Sequence, residues 1–381
     1  MPDPPVADRV RLGDHAELMT GHPFKSAGYT GSGVRLLRGD NVAQGRIRWD
    51  NARYWPAGDA AAYQRYRLRA GDVILAMDRP WIAAGLKYAR LRPDDVPSLL
   101  VQRVACIRAF PTLDQRYLAY LIGSPAFTAH VLSRQTGTAV PHISGTQIRD
   151  FEFARPPLRD QQATGELLGA LDDKIAVNGA LARTASGLAD ARYAQLSASA
   201  AGTGRVGDLI ELRYGKALPA AERVAGTFPV FGSGGMAGCH DTWLAGGPGV
   251  IVGRKGTVGA VYWSERAFFP IDTTFYVTPR SESLPMEFAF CMLRQLGLES
   301  MNSDSAVPGL SRPRVLALEV RLPAEPALRR FHQDVRPLFR LREGLSAESS
   351  ALARLRDTLL PGLMTGEIRL REAARAVEDV A

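Results

Sequence analysis

Cysteine is nearly missing from this chain of 381 residues: there are three, Cys106, Cys239 and Cys291, odd in number and far apart. No Cys-x-x-Cys pair occurs, and the six histidines stand at no metal-ligand spacing beside them. Neither a disulfide framework nor a zinc site is encoded, and the thiols are expected to be buried as small apolar side chains in a reducing cytoplasm. No run of 18 apolar residues appears, which removes a membrane-spanning helix. Met1-Pro2-Asp3-Pro4-Pro5 lacks the charged-then-apolar layout of a signal peptide. Lysine is scarce, and arginine supplies most of the 47 basic residues that outweigh 39 acidic ones and leave a net charge of +8. A basic surface admits a polyanionic partner without requiring one. At roughly 100–200 residues per domain, the length suggests two or three domains.

Catalytic motifs are missing as well. A P-loop needs Gly-x-x-x-x-Gly-Lys-Ser/Thr, whose backbone cradles phosphate and whose lysine reaches it. The nearest strings, Gly232 to Gly235 and Gly253 to Gly259, have no Lys-Ser/Thr in place. Asp172-Asp173-Lys174 has a nuclease-like look, but the nearest Pro-Asp pair, Pro93-Asp94, lies far outside the usual spacing, so a solvated helix face is expected there. No Asn-Pro-Pro-aromatic tetrad for base amination occurs. The chain is expected to carry no active site, no metal and no cofactor.

What the chain does have is an internal repeat. Leu12-Gly13-Asp14-His15-Ala16-Glu17-Leu18, with Gly21, returns as Val206-Gly207-Asp208-Leu209-Ile210-Glu211-Leu212, with Gly215. Gly71-Asp72-Val73-Ile74-Leu75 is echoed by Gly249-Val250-Ile251-Val252. Ala139-Val140-Pro141-His142-Ile143-Ser144 recurs as Ala306-Val307-Pro308-Gly309-Leu310-Ser311. Each copy then runs through an alternating strand, Phe151 to Pro156 or Leu318 to Pro323, directly into a long helical segment.

From Leu158 to about Leu196 there is no proline. In the second segment, Pro326 to Leu360, Leu338, Leu341, Leu345, Leu352, Leu355 and Leu359 fall at three- and four-residue steps, with Glu348 at the one polar place. That is an a/d seam, and the matching positions of the first segment include Leu171, Lys174, Asn178, Leu181, Ala185, Leu188 and Arg192. Leu167, Ile175, Phe331 and Phe339 are left as apolar positions beyond the seam, suited to a partner. Pro337 is expected to bend the second helix or delay its long stretch. About 36 helical residues span roughly 54 Å, longer than one module is wide. Two such helices pack most economically on each other, antiparallel, with a module at each end.

The fold class expected is therefore α+β: two similar globular α/β modules separated by two long antiparallel coiled-coil helices, with pseudo-twofold symmetry. The boundaries expected are module one at 1–157, the first spacer helix and linker at 158–204, module two at 205–323, the second spacer helix at 324–366 and a tail at 367–381.

This plan resembles the specificity subunits of type I restriction–modification enzymes, with two target recognition domains alternating with two long helical regions. The resemblance runs from about Arg9 to Leu370. It is carried by Gln135 to Ser144, by Phe228-Pro229-Val230-Phe231-Gly232-Ser233-Gly234-Gly235, by Gly253-Arg254-Lys255-Gly256-Thr257-Val258-Gly259 and by the closing Leu359 to Ile368. Two departures stand out: Asp160, where the family more often has Glu, and Pro326-Ala327-Leu328-Arg329, which lacks the usual Gln. The resemblance implies a non-catalytic, cytoplasmic subunit whose modules each read half of an asymmetric double-stranded DNA site. It implies methyltransferase subunits flanking the helices, motor–nuclease subunits joining them, and no membrane.

Base edges are read by bidentate Arg or Lys on guanine and by Asn or Gln on adenine; phosphates are held by cations, hydroxyls and backbone N–H groups. In the second module these needs select Arg254, Lys255 and Thr257, on a tight turn after a buried-looking strand, and Ser233 in a glycine-rich loop. An ordinary hairpin with solvated charges is the plainer alternative. In the first module they select Arg35, Arg38 and Asn41, Arg79 in Asp78-Arg79-Pro80-Trp81, and Gln135, Thr136 and Thr138; each is equally suited to a salt-bridged or capping role. Trp49 and Trp81 are expected in the core, and His142 as a structural histidine. Two rival classes stay open: a single-chain DNA methyltransferase or nuclease with fused recognition domains, which lacks the motifs it needs, and a scaffold that binds only proteins.

Overall fold

The computed structural model describes residues 9–137, 140–301 and 309–378. The chain divides into two compact units, Met1–Ile175 with Ser350–Ala381, and Ala176–Ser349.

Unit one is built on a four-stranded antiparallel sheet in the order Ala16–Thr20, Val104–Ala109, Val73–Ala76, Tyr88–Arg90. Val73-Ile74-Leu75-Ala76 is an unbroken apolar run because both of its faces are covered; all four residues are buried. A three-stranded sheet (Arg53–Trp55, Val34–Leu37, Ser98–Leu100) adds one parallel pair, and Arg9–Arg11 pairs with Glu152–Ala154. The helix Gln115–Gly123 starts where the Asp114 carboxylate accepts from the N–H groups of Arg116 and Tyr117.

Unit two has the same topology. Its four-stranded sheet runs Ile210–Tyr214, Thr274–Pro279, Gly249–Gly253, Val261–Ser264. Its three-stranded sheet runs Gly235–His240, Phe228–Gly232, Phe269–Pro270, again with one parallel pair. Gly202–Arg205 pairs with Glu319–Leu322, and Met286–Gln295 is the helix packed on the sheet. Register makes the repeat residue-specific. Ala105 pairs with Thr20 and Leu75, and Phe275 pairs with Tyr214 and Val252, so Thr20 and Tyr214 hold the same place in the two copies.

The long helices are Leu158–Ser199 and Glu325–Thr365. In unit one Leu168 clusters with Leu359, Leu360 and Leu363, while Arg356 donates to Asp172. In unit two Asn178 Nδ2 donates to Glu348 Oε2 at 2.8 Å, and Ala189 and Tyr193 share a core with Val335 and Phe339. Earlier residues of one helix meet later residues of the other, so they run antiparallel within each unit.

Several expectations are corrected. The second long helix is one continuous element through Pro337, so its long stretch is not delayed; Val335 and Phe339 on either side of the proline are buried. On the first helix Leu171, Asn178 and Ala185 of the expected seam are buried at steps of seven, and the buried stripe continues through Ala189 and Tyr193. The intermediate seam leucines are corrected: Leu181 and Leu188, and Leu341 on the second helix, are each 47% exposed, so only one of the two a/d columns is covered there. Leu345, Leu352 and Leu359 are buried, and Leu338 and Leu355 are half-buried. Phe331 and Phe339 lie in the core of unit two instead of facing a partner, and Leu167 and Ile175 are half-buried. Asp172 is not on a solvated face: it accepts from the Tyr120 hydroxyl at 2.6 Å as well as from Arg356. Cys106 and Cys291 are buried but Cys239 is exposed. Burial pushes both buried thiols up, Cys291 to about 12, which leaves them unreactive. Among the described residues no helix is long and apolar enough to cross a membrane.

Candidate nucleic-acid interface

After the strand Val73–Ala76, the Met77 N–H donates to the Arg103 carbonyl and the Met77 carbonyl accepts from the Ile143 N–H, both at 2.9 Å. After the strand Gly249–Gly253, the Arg254 N–H donates to the Thr273 carbonyl and the Arg254 carbonyl accepts from the Leu310 N–H, also both at 2.9 Å. Met77 and Arg254 are thus equivalent, and so are the residues that follow. Asp78 forms a bridge to His142 as Lys255 does to Gly309. Next, Gly256 takes φ +81° and Arg79 takes φ +45°. The two turns selected separately from sequence are one turn, present in both copies. Glycine adopts that backbone freely; Arg79 is held there by its N–H to the Pro141 carbonyl at 2.7 Å. Strain of this kind persists where the surroundings over-determine it.

In unit one Arg79, Lys87 and Arg103 line a depression of about 260 Å³ with Asp40, Asp78 and Val140. Arg103 is the second non-glycine residue described with positive φ, at +65°. Asp78 Oδ1 lies 2.6 Å from His142 Nδ1 and 3.4 Å from Arg103 Nη1, which gives His142 its structural partner. Burial holds the Lys87 ammonium below its ordinary value; Arg48 and Arg79 push the same way, and Asp40 and Asp78 oppose them. Trp81 is not in the core: it and Ile82 are each 40% exposed on a small hairpin with Gly85–Leu86.

Arg35, Arg38 and Asn41, also selected in unit one, have partners within the fold. Arg35 lies over the Trp49 ring at 4.5 Å and donates to the Asp94 carbonyl, while Trp49 donates to Asp95. Arg38 donates to the Asn51 carbonyl at 3.2 Å. Asn41 is 2% exposed; its Oδ1 accepts from the Arg38 N–H and its Nδ2 donates to the Arg48 carbonyl. Both ends of its amide are therefore engaged inside a turn. Gln135 has its Oε1 buried without a partner among the described residues, Thr136 pairs through its backbone with His142 and leaves its side chain exposed, and Thr138 lies outside the described residues.

In unit two Lys255 and Thr257 are exposed and Arg254 is half-buried. Ser233, half-buried in the neighbouring loop, is held by its backbone: its N–H meets Thr273 Oγ1 at 3.3 Å and its carbonyl accepts from the Tyr262 hydroxyl at 2.8 Å. Sequence reasoning misses Tyr214 and Arg312. Arg254 lies over the Tyr214 ring at 5.2 Å and Arg312 at 5.6 Å. The signal was there in the repeat, since Tyr214 precedes Gly215 and Arg312 follows Leu310-Ser311, but nothing in the spacing brings the three together. Lys87 and Arg103 are missed for the same reason. Among the described residues no cluster of His, Cys, Asp and Glu is arranged to hold a metal ion.

No family model matches the chain. Over 187 residues it is 31% identical to the type I restriction enzyme EcoAI specificity subunit of Escherichia coli, covering 46% of this chain and 31% of that one. Over 169 residues it is 30% identical to the type I restriction enzyme MjaVIII specificity subunit of Methanocaldococcus jannaschii, covering 44% of this chain and 40% of that one. Over these stretches the chain is similar to type I specificity subunits. The matches span well under half the length of either relative. The fold extends further than the sequence identity: a type I restriction–modification S subunit from M. genitalium matches 94% of this chain and 96% of its own, with a TM-score of 0.62 and 17% identity. The paired long helices and twin modules are therefore the specificity-subunit fold.

Proposed function

We propose that the chain is the DNA-reading subunit of a type I restriction–modification enzyme and works in the cytoplasm. Each unit's module reads one half of an asymmetric, bipartite double-stranded site. The long helices dock methyltransferase subunits, motor–nuclease subunits join through the complex, and all the chemistry belongs to those partners. One observation carries this reading. The same turn, fixed by the same two backbone hydrogen bonds, presents Met77-Asp78-Arg79 in one copy and Arg254-Lys255-Gly256 in the other. A constant backbone sets position, and different side chains on it set which bases are accepted; that is what a site with two unlike halves requires.

The test is a gel-shift series with salt titration, alongside methylation mapping of cells with the gene present and deleted. Phosphate contacts make log K fall linearly with log salt, and methylation at a bipartite motif should vanish with the gene. A chain that binds DNA at no salt concentration returns the protein-only scaffold. Methyl transfer by the isolated chain returns the single-chain enzyme.

A further inference from the structure

The two units share a turn, but only one of them surrounds it with stacked cations. The Tyr214 ring is 51% exposed at the end of the sheet-edge strand Ile210–Tyr214. It is propped edge-on at 5.0 Å by Phe275, which is 1% exposed and cannot move aside. Arg254 reaches the ring from the turn and also lies 6.0 Å from Phe275, while Arg312 reaches it from the first turn of the short helix Arg312–Leu316. Among the described residues neither guanidinium meets a carboxylate, and Arg254 Nε is buried without a partner. In unit one the equivalent places hold Thr20, Met77 and Gly145, the last two placed by the Met77 hydrogen bonds and by the Ser144 and Ser311 helix starts.

We infer that Tyr214 is a positioning residue that holds Arg254 and Arg312 as flat, outward-facing forks, and that the second module uses them to read guanine. This rests on the chain being a DNA-reading subunit. A guanidinium over a ring engages its π face and leaves its two terminal Nη groups as the donor edge. That edge matches guanine O6 and N7 together, the commonest specific contact in the major groove. Holding the fork before DNA arrives removes the ordering cost that a freely rotating arginine pays on binding. Exposed Lys255 and Thr257, on the same turn, are placed to hold the adjoining backbone phosphates. Charge alone would need no aromatic support and no planar fork, so the stacking argues for a base edge over a phosphate.

Methylation mapping in cells gives the two half-sites, and the half that relaxes with Arg254→Ala belongs to the second module. The inference expects a guanine at the relaxed position. The purified full-length complex is then offered duplexes with 7-deazaguanine there, which lacks the N7 acceptor. Wild type should lose about tenfold or more in affinity, whereas Arg254→Ala, which has no donor to offer N7, should already have lost it and show no further loss. Tyr214→Phe should keep the full motif, Tyr214→Leu should relax the same position, and the other half-site should not change in any variant. A relaxed position that is not guanine, no effect of 7-deazaguanine on wild type, or an unchanged motif in Arg254→Ala would each overturn it. So would a uniform loss across all sequences with a shallower salt slope, which marks a phosphate contact. Wild type that binds no DNA would instead remove the reading beneath it. Arg254→Ala alters only the turn's side chain, so the test stands even if Tyr214→Leu misfolds.

Discussion

Asn41 and Arg79 were equally good candidates by residue type, and their surroundings send them in opposite directions. Asn41 closes a turn on Arg38 and Arg48, so Asn41→Ala should cost about 1–3 kcal/mol in urea unfolding by leaving buried backbone groups unpaired, with the recognised bases unchanged in methylation maps. A base change with no loss of stability would reverse that assignment. Tyr88 gives a pH expectation. Burial raises its hydroxyl to about 12, with Asp172 and Asp357 adding and Arg356 opposing, against about 10 in an unfolded chain. The folded state favours the protonated phenol, so its contribution is complete below about pH 10 and is lost as pH rises toward 12. Stability measured by denaturant across that range should fall in wild type and fall less steeply in Tyr88→Phe. Equal slopes would exclude Tyr88 as a source.

The long helices were legible in the sequence as lengths and periods, but not as faces. The absence of proline from Leu158 to Leu196 and the apolar repeat of the second segment mark two long helices. Leu171, Asn178 and Ala185, and Leu345, Leu352 and Leu359, are buried at the seven-residue steps the pattern gave, but the spacing alone does not say which of its two columns a neighbour covers. Leu181 and Leu188 stay exposed while Ala185 and Ala189, modest in any hydrophobicity scan, are buried. Distance in sequence hid the Tyr214 stack in the same way, since Tyr214, Arg254 and Arg312 come from three separate segments. The exposed leucines give an element-scale expectation. Val177, Leu181 and Leu188 form an exposed stripe on the first helix, and such a stripe marks an interface. Leu181→Asp with Leu188→Asp should leave urea unfolding within about 0.5 kcal/mol of wild type yet lose the methyltransferase subunit in a pull-down. Full retention of the partner would clear this face.

At the scale of the whole molecule, the repeat in sequence is not how the chain is partitioned in space. Unit two is continuous, but unit one needs residues from both sides of it. Leu359, Leu360, Leu363 and Ala373 bury themselves against Tyr120 and Leu168, and Met364 packs on the core beneath the first sheet. Removing residues 350–381 should therefore expose unit one to limited proteolysis while unit two persists as a resistant fragment; equal resistance of both would show that the closing segment is dispensable. The same interruption imposes a schedule on synthesis. At about 5–20 residues per second, the part of unit one that leaves the ribosome first must wait roughly 9–35 s while residues 176–349 are made. Its Tyr120 and Leu168 surface is open to wrong partners for all of that time. Unit two, begun later, has every residue it needs before unit one does, so the half of the molecule that is started first is the half that is finished last.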